Sequence, residues 1–137
     1  MHRHLLITVA SCAFFATAHA DDNVAPNGAQ VRIVEPADGA TVPSKFKVRF
    51  AAGGIEVRPA GEIIAGTGHH HLLVDADAIP AGRSIPFDAK HIHFGKGQTE
   101  AEVELPPGSY RLTAQFANGA HQSYGPPLSS SVRVTVR

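Results

Sequence analysis

Glycine and proline break this chain at short intervals, 13 and 10 of them in 137 residues, and apolar residues alternate with polar ones between the breaks. A helix needs a longer unbroken run with apolar positions three and four apart, and that spacing is nearly absent. Period-two alternation instead belongs to strands with one face buried. The pattern predicts strands over Gln30–Val34, Lys45–Ala51, His69–Asp75, Lys90–Phe94, Thr99–Leu105, Ser109–Ala117 and Ser130–Arg137, with a short extra one over Ile55–Val57. Segments Gly53–Gly68 and Ala76–Ala89 read as loops, Pro36–Gly39 and Thr67-Gly68 as turns, and Gly95–Gln98 as a hairpin turn. About seven short strands separated by turns predict a single all-β, immunoglobulin-like sandwich over residues 30–137. Tyr110, just after Pro106-Pro107-Gly108, fits the tyrosine that bonds back to the corner before its strand in such sandwiches.

The first twenty residues read differently. Arg3 gives a positive start, Leu5 to Ala18 is nearly all apolar or small, and Ala18-His19-Ala20 has the small-x-small form of a cleavage site. This is the pattern of a secretory signal peptide over 1–20, which implies export, to the periplasm in a Gram-negative cell. Val9–Cys12 resembles a lipobox, but Ala13-Phe14-Phe15 continues the apolar core past Cys12, against a lipoprotein reading. Asp21–Ala29 reads as a flexible polar lead-in. The chain beyond the signal holds no cysteine and no methionine, so neither a disulfide nor a sulfur ligand is available there. Twelve basic and twelve acidic residues balance, which gives no reason to expect nucleic acid as a partner. No second apolar run is long enough to span a bilayer.

Nine histidines are present, and two His-x-His dyads stand out. Residues i and i+2 of a strand share a face with Cα atoms roughly 6.5–7 Å apart, so two imidazoles can converge on one ion. In His91-Ile92-His93-Phe94, burial of Ile92 and Phe94 turns His91 and His93 to the outer face. In His69–Asp75, burial of Leu72 and Val74 takes His70 inward and leaves His69, His71 and Asp75 outside, with Leu73 an awkward companion. Adjacent strands lie about 4.8 Å apart, so neighbouring dyads would pool four rings on one patch, and His121 could close the site from a loop. The candidate metal ligands are therefore His69, His71, His91, His93 and His121. Imidazole without sulfur suits Zn(II), Cu(II) or Ni(II), of which Cu(II) or Zn(II) is the expected ion. Asp75, Asp77, Asp88 and Glu100 are candidate carboxylate ligands or acceptors that fix a ring's tautomer. Glu100, Glu102 and Glu104 alternate as a solvated strand face.

Thr67-Gly-His-His-His-Leu-Leu-Val-Asp75, His91-Ile-His-Phe-Gly-Lys-Gly-Gln-Thr-Glu100 and Leu105-Pro-Pro-Gly108 resemble the DUF4399 family of small exported bacterial proteins, as do Pro36–Pro43 and Pro126-Pro127. The likeness runs roughly from Val34 to the C-terminus. The family's role is undefined, so the resemblance implies little about activity. Relatives commonly carry a second His shortly after the one matching His121. Tyr124 stands near that place here, which implies a site one nitrogen poorer or one that uses the Tyr oxygen.

Three functions compete. The first is an exported module that binds a divalent transition metal, with release below about pH 6 as imidazoles protonate. The second is a non-catalytic envelope protein with a periplasmic protein partner, whose histidines only pack. The third is a zinc-dependent hydrolase, for which Glu62, Asp75 and Glu100 are the nearby candidate bases, no catalytic residue being otherwise evident. Gly95-Lys96-Gly97-Gln98 lacks the spacing and the strand-to-helix setting of a phosphate loop.

Overall fold

A computed structural model describes residues 23–137. The signal peptide and the Cys12 alternative lie outside the described residues. Nine strands follow in order: β1 (Gln30–Glu35), β2 (Ala40–Val42), β3 (Lys45–Gly53), β4 (Glu56–Val57), β5 (Thr67–Val74), β6 (His91–His93), β7 (Glu100–Glu104), β8 (Gly108–Ala117) and β9 (Ser129–Val136), with one 3-10 turn at Pro126–Leu128. β1, β3 and β7 form a three-stranded sheet. The second sheet runs β2-β9-β8-β5-β4, and β6 also pairs with β5. The two sheets pack face to face as an all-β sandwich.

The alternation in β3 shows why. Phe46, Val48 and Phe50 point into the sandwich while Lys45, Lys47 and Arg49 stay in water. Their neighbours across the strand pair are Glu104, Glu102 and Glu100, so opposite charges line the outer face of this sheet. Each such cross-strand pair contributes roughly 0.2–1 kcal/mol. The inward residues meet Leu72, Val74, Leu112, Ala114, Val134 and Val136 of the second sheet in one core. Fully burying a Leu or Phe side chain is worth about 1.5–3 kcal/mol, which makes this face the main driver of the fold. The Tyr110 hydroxyl donates to the Pro106 carbonyl at 2.7 Å, the corner bond its position predicts.

Four local expectations change. β2 is too short to show alternation, and it is held by parallel pairing with β9 rather than by its own pattern. Gly95–Gln98 does turn, with Gly97 at φ 78, yet it carries the chain from β6 in one sheet to β7 in the other, so it is not a hairpin. The lead-in is pinned at Asn23, which is buried, donates to the Ser123 carbonyl and accepts from the Asn118 amide. Thr67-Gly68 is not a turn but the start of β5, where the strands come very close. A Cβ on Gly68 would sit 2.0 Å from the Ala117 carbonyl oxygen and 2.8 Å from the Phe116 ring. Only the missing side chain permits that approach. Gly68→Ala is expected to lower unfolding stability by about 3 kcal/mol, at the upper end for overpacking, because the obstacle is backbone. Urea denaturation measures it, and a loss under about 1 kcal/mol would contradict this packing.

Candidate metal centre

β5 is buried along its whole length on both faces. Its inner face packs against the other sheet: His70 stacks on Phe50 with ring centroids 4.6 Å apart and presents an edge to Phe116. His70 is therefore a core residue. The outer face carries His69, His71 and Leu73, none with any exposed surface. The segment after β5 covers this face. Its Ile79 amide donates to the Gln115 side-chain carbonyl, and Gln115 stands directly opposite His71 on β8. Ser123 Oγ donates to the Ile79 carbonyl, pinning the segment a second time. Leu73 is thus no misfit, because the face expected to be open to water lies under a strap.

β6 runs antiparallel to β5 and sets His93 directly opposite His71. His121 arrives from the Asn118–Gln122 turn. Buried Asn118 builds that turn, its side-chain oxygen accepting from the Ala120 and Gln122 amides at 3.0 Å. His121 sits at φ 63, a left-handed backbone that costs a non-glycine residue roughly 1–2 kcal/mol. Such a conformation persists where the surroundings demand it, and here it turns the ring toward β5. Gly119 lets the 61–62 backbone press on the same turn, since a Cβ there would lie 2.1 Å from the Glu62 carbonyl oxygen.

The result is one group of four rings, His69, His71, His93 and His121, whose candidate ligand atoms all lie within 4.8 Å of one another. His69 Nε2 and His121 Nδ1 are 2.9 Å apart. The His71 and His93 rings meet edge to face at 4.4 Å, and those of His93 and His121 at 5.0 Å. Four nitrogens at 2.0–2.1 Å from a tetrahedral ion stand roughly 3.3 Å from one another, so modest ring rotations bring this group to that geometry.

Several ring nitrogens have no partner. Both nitrogens of His71, Nδ1 of His69 and Nδ1 of His93 are buried without a hydrogen bond. Leaving such a group unsatisfied costs about 1–3 kcal/mol. Burial, reinforced by the neighbouring imidazoles, lowers the His69 pKa to about 4 and the His71 pKa to about 2. Burial also lowers that of His93. These rings are held neutral, the form that coordinates a metal. His93 Nε2 donates to the Pro86 carbonyl at 3.2 Å, which leaves the buried Nδ1 as its free lone pair.

His91 is not brought in. It shares the outer face but pairs opposite Leu73, one step beyond the cluster, and its Nδ1 bonds Asp88 Oδ1 at 2.6 Å. That bond holds the Asp88 carboxyl below its ordinary pKa. The other candidate carboxylates are placed elsewhere. Asp75 Oδ1 accepts from the Arg111 amide, Asp77 pairs with the Arg111 guanidinium at 2.7 Å, and Glu100 belongs to the three-stranded sheet. Glu62, Asp75 and Glu100, the candidate bases, all lie outside the four-ring group. Tyr124 is also remote: its hydroxyl donates to the Thr67 carbonyl, and its ring packs in the second core cluster with Phe116.

Residues Ser84–Asp88, read from the sequence only as loop, touch three histidines of this face, His91, His93 and His121. Ser84 bridges to Gln122, Ile85 N donates to the His121 carbonyl, and Pro86 holds His93. Phe87 stacks on the His93 ring at 3.9 Å, and Asp88 holds His91. Phe87 next to a proline carried no periodic signal that could have marked it.

The family described as "Domain of unknown function (DUF4399)" matches residues 48–137, two thirds of the chain, so the chain belongs to that family. No curated protein matches it. Among solved structures, the endo-beta-1,4-mannanase from Thermotoga petrophila is similar at 13% identity with a TM-score of 0.47. That match covers 80% of this chain and 20% of the other. The chain thus spans about a fifth of the mannanase. No helix among the described residues is long and apolar enough to cross a membrane.

Proposed function

We propose that this DUF4399 protein is an exported module that binds one transition-metal ion, Cu(II) or Zn(II), through His69, His71, His93 and His121. One observation carries the reading: four imidazoles offer ligand atoms within 4.8 Å of one another, and three of the rings carry buried nitrogens without a hydrogen bond. An ion would satisfy at one stroke the groups that burial has left without hydrogen bonds. Four nitrogen ligands would fill a tetrahedral shell, whereas hydrolytic zinc sites keep one position open for water. The donor set therefore favours holding or passing on an ion over hydrolysis, and no carboxylate in the group stands ready as a base. Periplasmic residence follows from the signal-like first twenty residues and is part of the same proposal.

The test is a thermal melt of untagged protein, first with a strong chelator and then with one equivalent of Zn(II) or Cu(II). Binding at a free-ion concentration about a hundred times Kd adds about 2.7 kcal/mol to the native state, enough to move the melting temperature by several degrees. An unchanged melt would favour the alternative, an envelope protein in which the same rings only pack.

A further inference from the structure

Of the four clustered rings, His69 and His71 have no exposed surface, so His93 and His121 are the two that solvent can reach. Both are covered by one side chain. Phe87 lies flat on His93, with ring centroids 3.9 Å apart and planes 8° from parallel, and presents its edge to His121 at 5.4 Å. Its other side faces water, and the residue is 75% exposed. A phenylalanine whose burial is so incomplete adds little to the core, yet its backbone is fixed from both sides. Pro86 accepts from His93 and Asp88 binds His91.

We infer that Phe87 is the positioning residue and lid of the metal centre. Its ring holds His93 in the orientation that keeps Nδ1 buried and free of a hydrogen bond, and it closes the route by which water, a chelating ligand or the ion itself passes to His71. The inference rests on the metal reading above. It adds that retention is kinetic and set by a residue that contributes no ligand atom. An aromatic face is required, because the flat stack orients a planar imidazole as an aliphatic side chain of similar bulk does not.

The experiment follows release of Zn(II) from the untagged full chain into an excess of a chromophoric chelator. It compares the parent with Phe87→Ala, Phe87→Leu and Phe87→Tyr. Phe87→Ala and Phe87→Leu are expected to release zinc at least about tenfold faster, the scale on which supporting residues affect metal sites. Phe87→Tyr should keep the parental rate within about twofold, because it preserves the stacked face. Zinc stoichiometry and the metal-free melting temperature should be the same in all four, as expected for so exposed a side chain. Parental release rates in Phe87→Ala, or full rescue by Leu, would overturn the lid while leaving the metal centre intact. A parent chain that binds no zinc and no copper would overturn the metal reading and the lid with it.

Discussion

Replacing His71 by leucine is expected to weaken metal binding sharply and, in the same protein, to raise the stability of the metal-free form. His71 is fully buried, both its ring nitrogens lack hydrogen bonds, and it shares its face with Leu73. A leucine of similar volume removes two unsatisfied polar atoms without opening a cavity. Apolar replacement of a poorly satisfied buried group is neutral or stabilising, here by about 1–3 kcal/mol. The ion then loses the ring nearest the middle of the cluster, and affinity should drop at least about a hundredfold, beyond the usual effect of losing a supporting contact. Chelator competition and urea melts on one preparation measure both numbers. The two outcomes together separate function from packing, because histidines kept for the fold alone would make His71→Leu destabilising. Stability given up at a site for the sake of activity is a general expectation of natural proteins.

The second large effect is on pH. His70 and His71 are held neutral in the native state by burial, at pKa values of about 4 and about 2, and His69 likewise at about 4. In the unfolded chain the same rings titrate near 6.5. Below pH 6.5 the unfolded state therefore takes up protons that the native state refuses, and stability falls as the solution is acidified. Each such ring contributes up to about 1.4 kcal/mol per pH unit, until the pH reaches its native value. The metal-free protein should thus be most stable above pH 7 and lose on the order of 5–6 kcal/mol by pH 5, with the decline continuing toward pH 4. Urea midpoints at half-unit steps measure this, and a flat profile from pH 7 to pH 5 would contradict the burial of these rings. Protons compete weakly for rings already held neutral, so the metal-loaded protein should keep its ion below the pH 6 expected from ordinary imidazoles.

The parts of this protein legible in its sequence are those governed by short-range alternation. Phe46, Val48 and Phe50 against Lys45, Lys47 and Arg49 told of a half-buried strand, and the structure has one there. The face of each dyad was legible for the same reason, since Ile92 and Leu72 had to turn inward. What alternation could not show is what lies over the outer face. His69 and His71 point away from the sandwich interior, as expected, yet they are sealed by a strap anchored on Gln115, a contact 36 residues apart in sequence. The separation of His91 from His93 depends on register: pairing opposite Leu73 or opposite His71 decides which ring joins the group. Gly68 was misread as part of a turn, and the role of Tyr124 stayed open, because a close backbone approach and a hydroxyl bonded to Thr67 are products of the assembled sheets.

The four rings come from three places that only the finished architecture unites: an interior strand, a three-residue edge strand and a left-handed turn. A synthetic peptide copied from Thr67–Val74 would still carry three imidazoles, but with none of the shielding and none of the fixed angles. Its chemistry toward ions would be that of any histidine-rich tag. Whatever selectivity this protein has is thus a property of its native conformation, and it vanishes with the first cooperative opening of the sandwich.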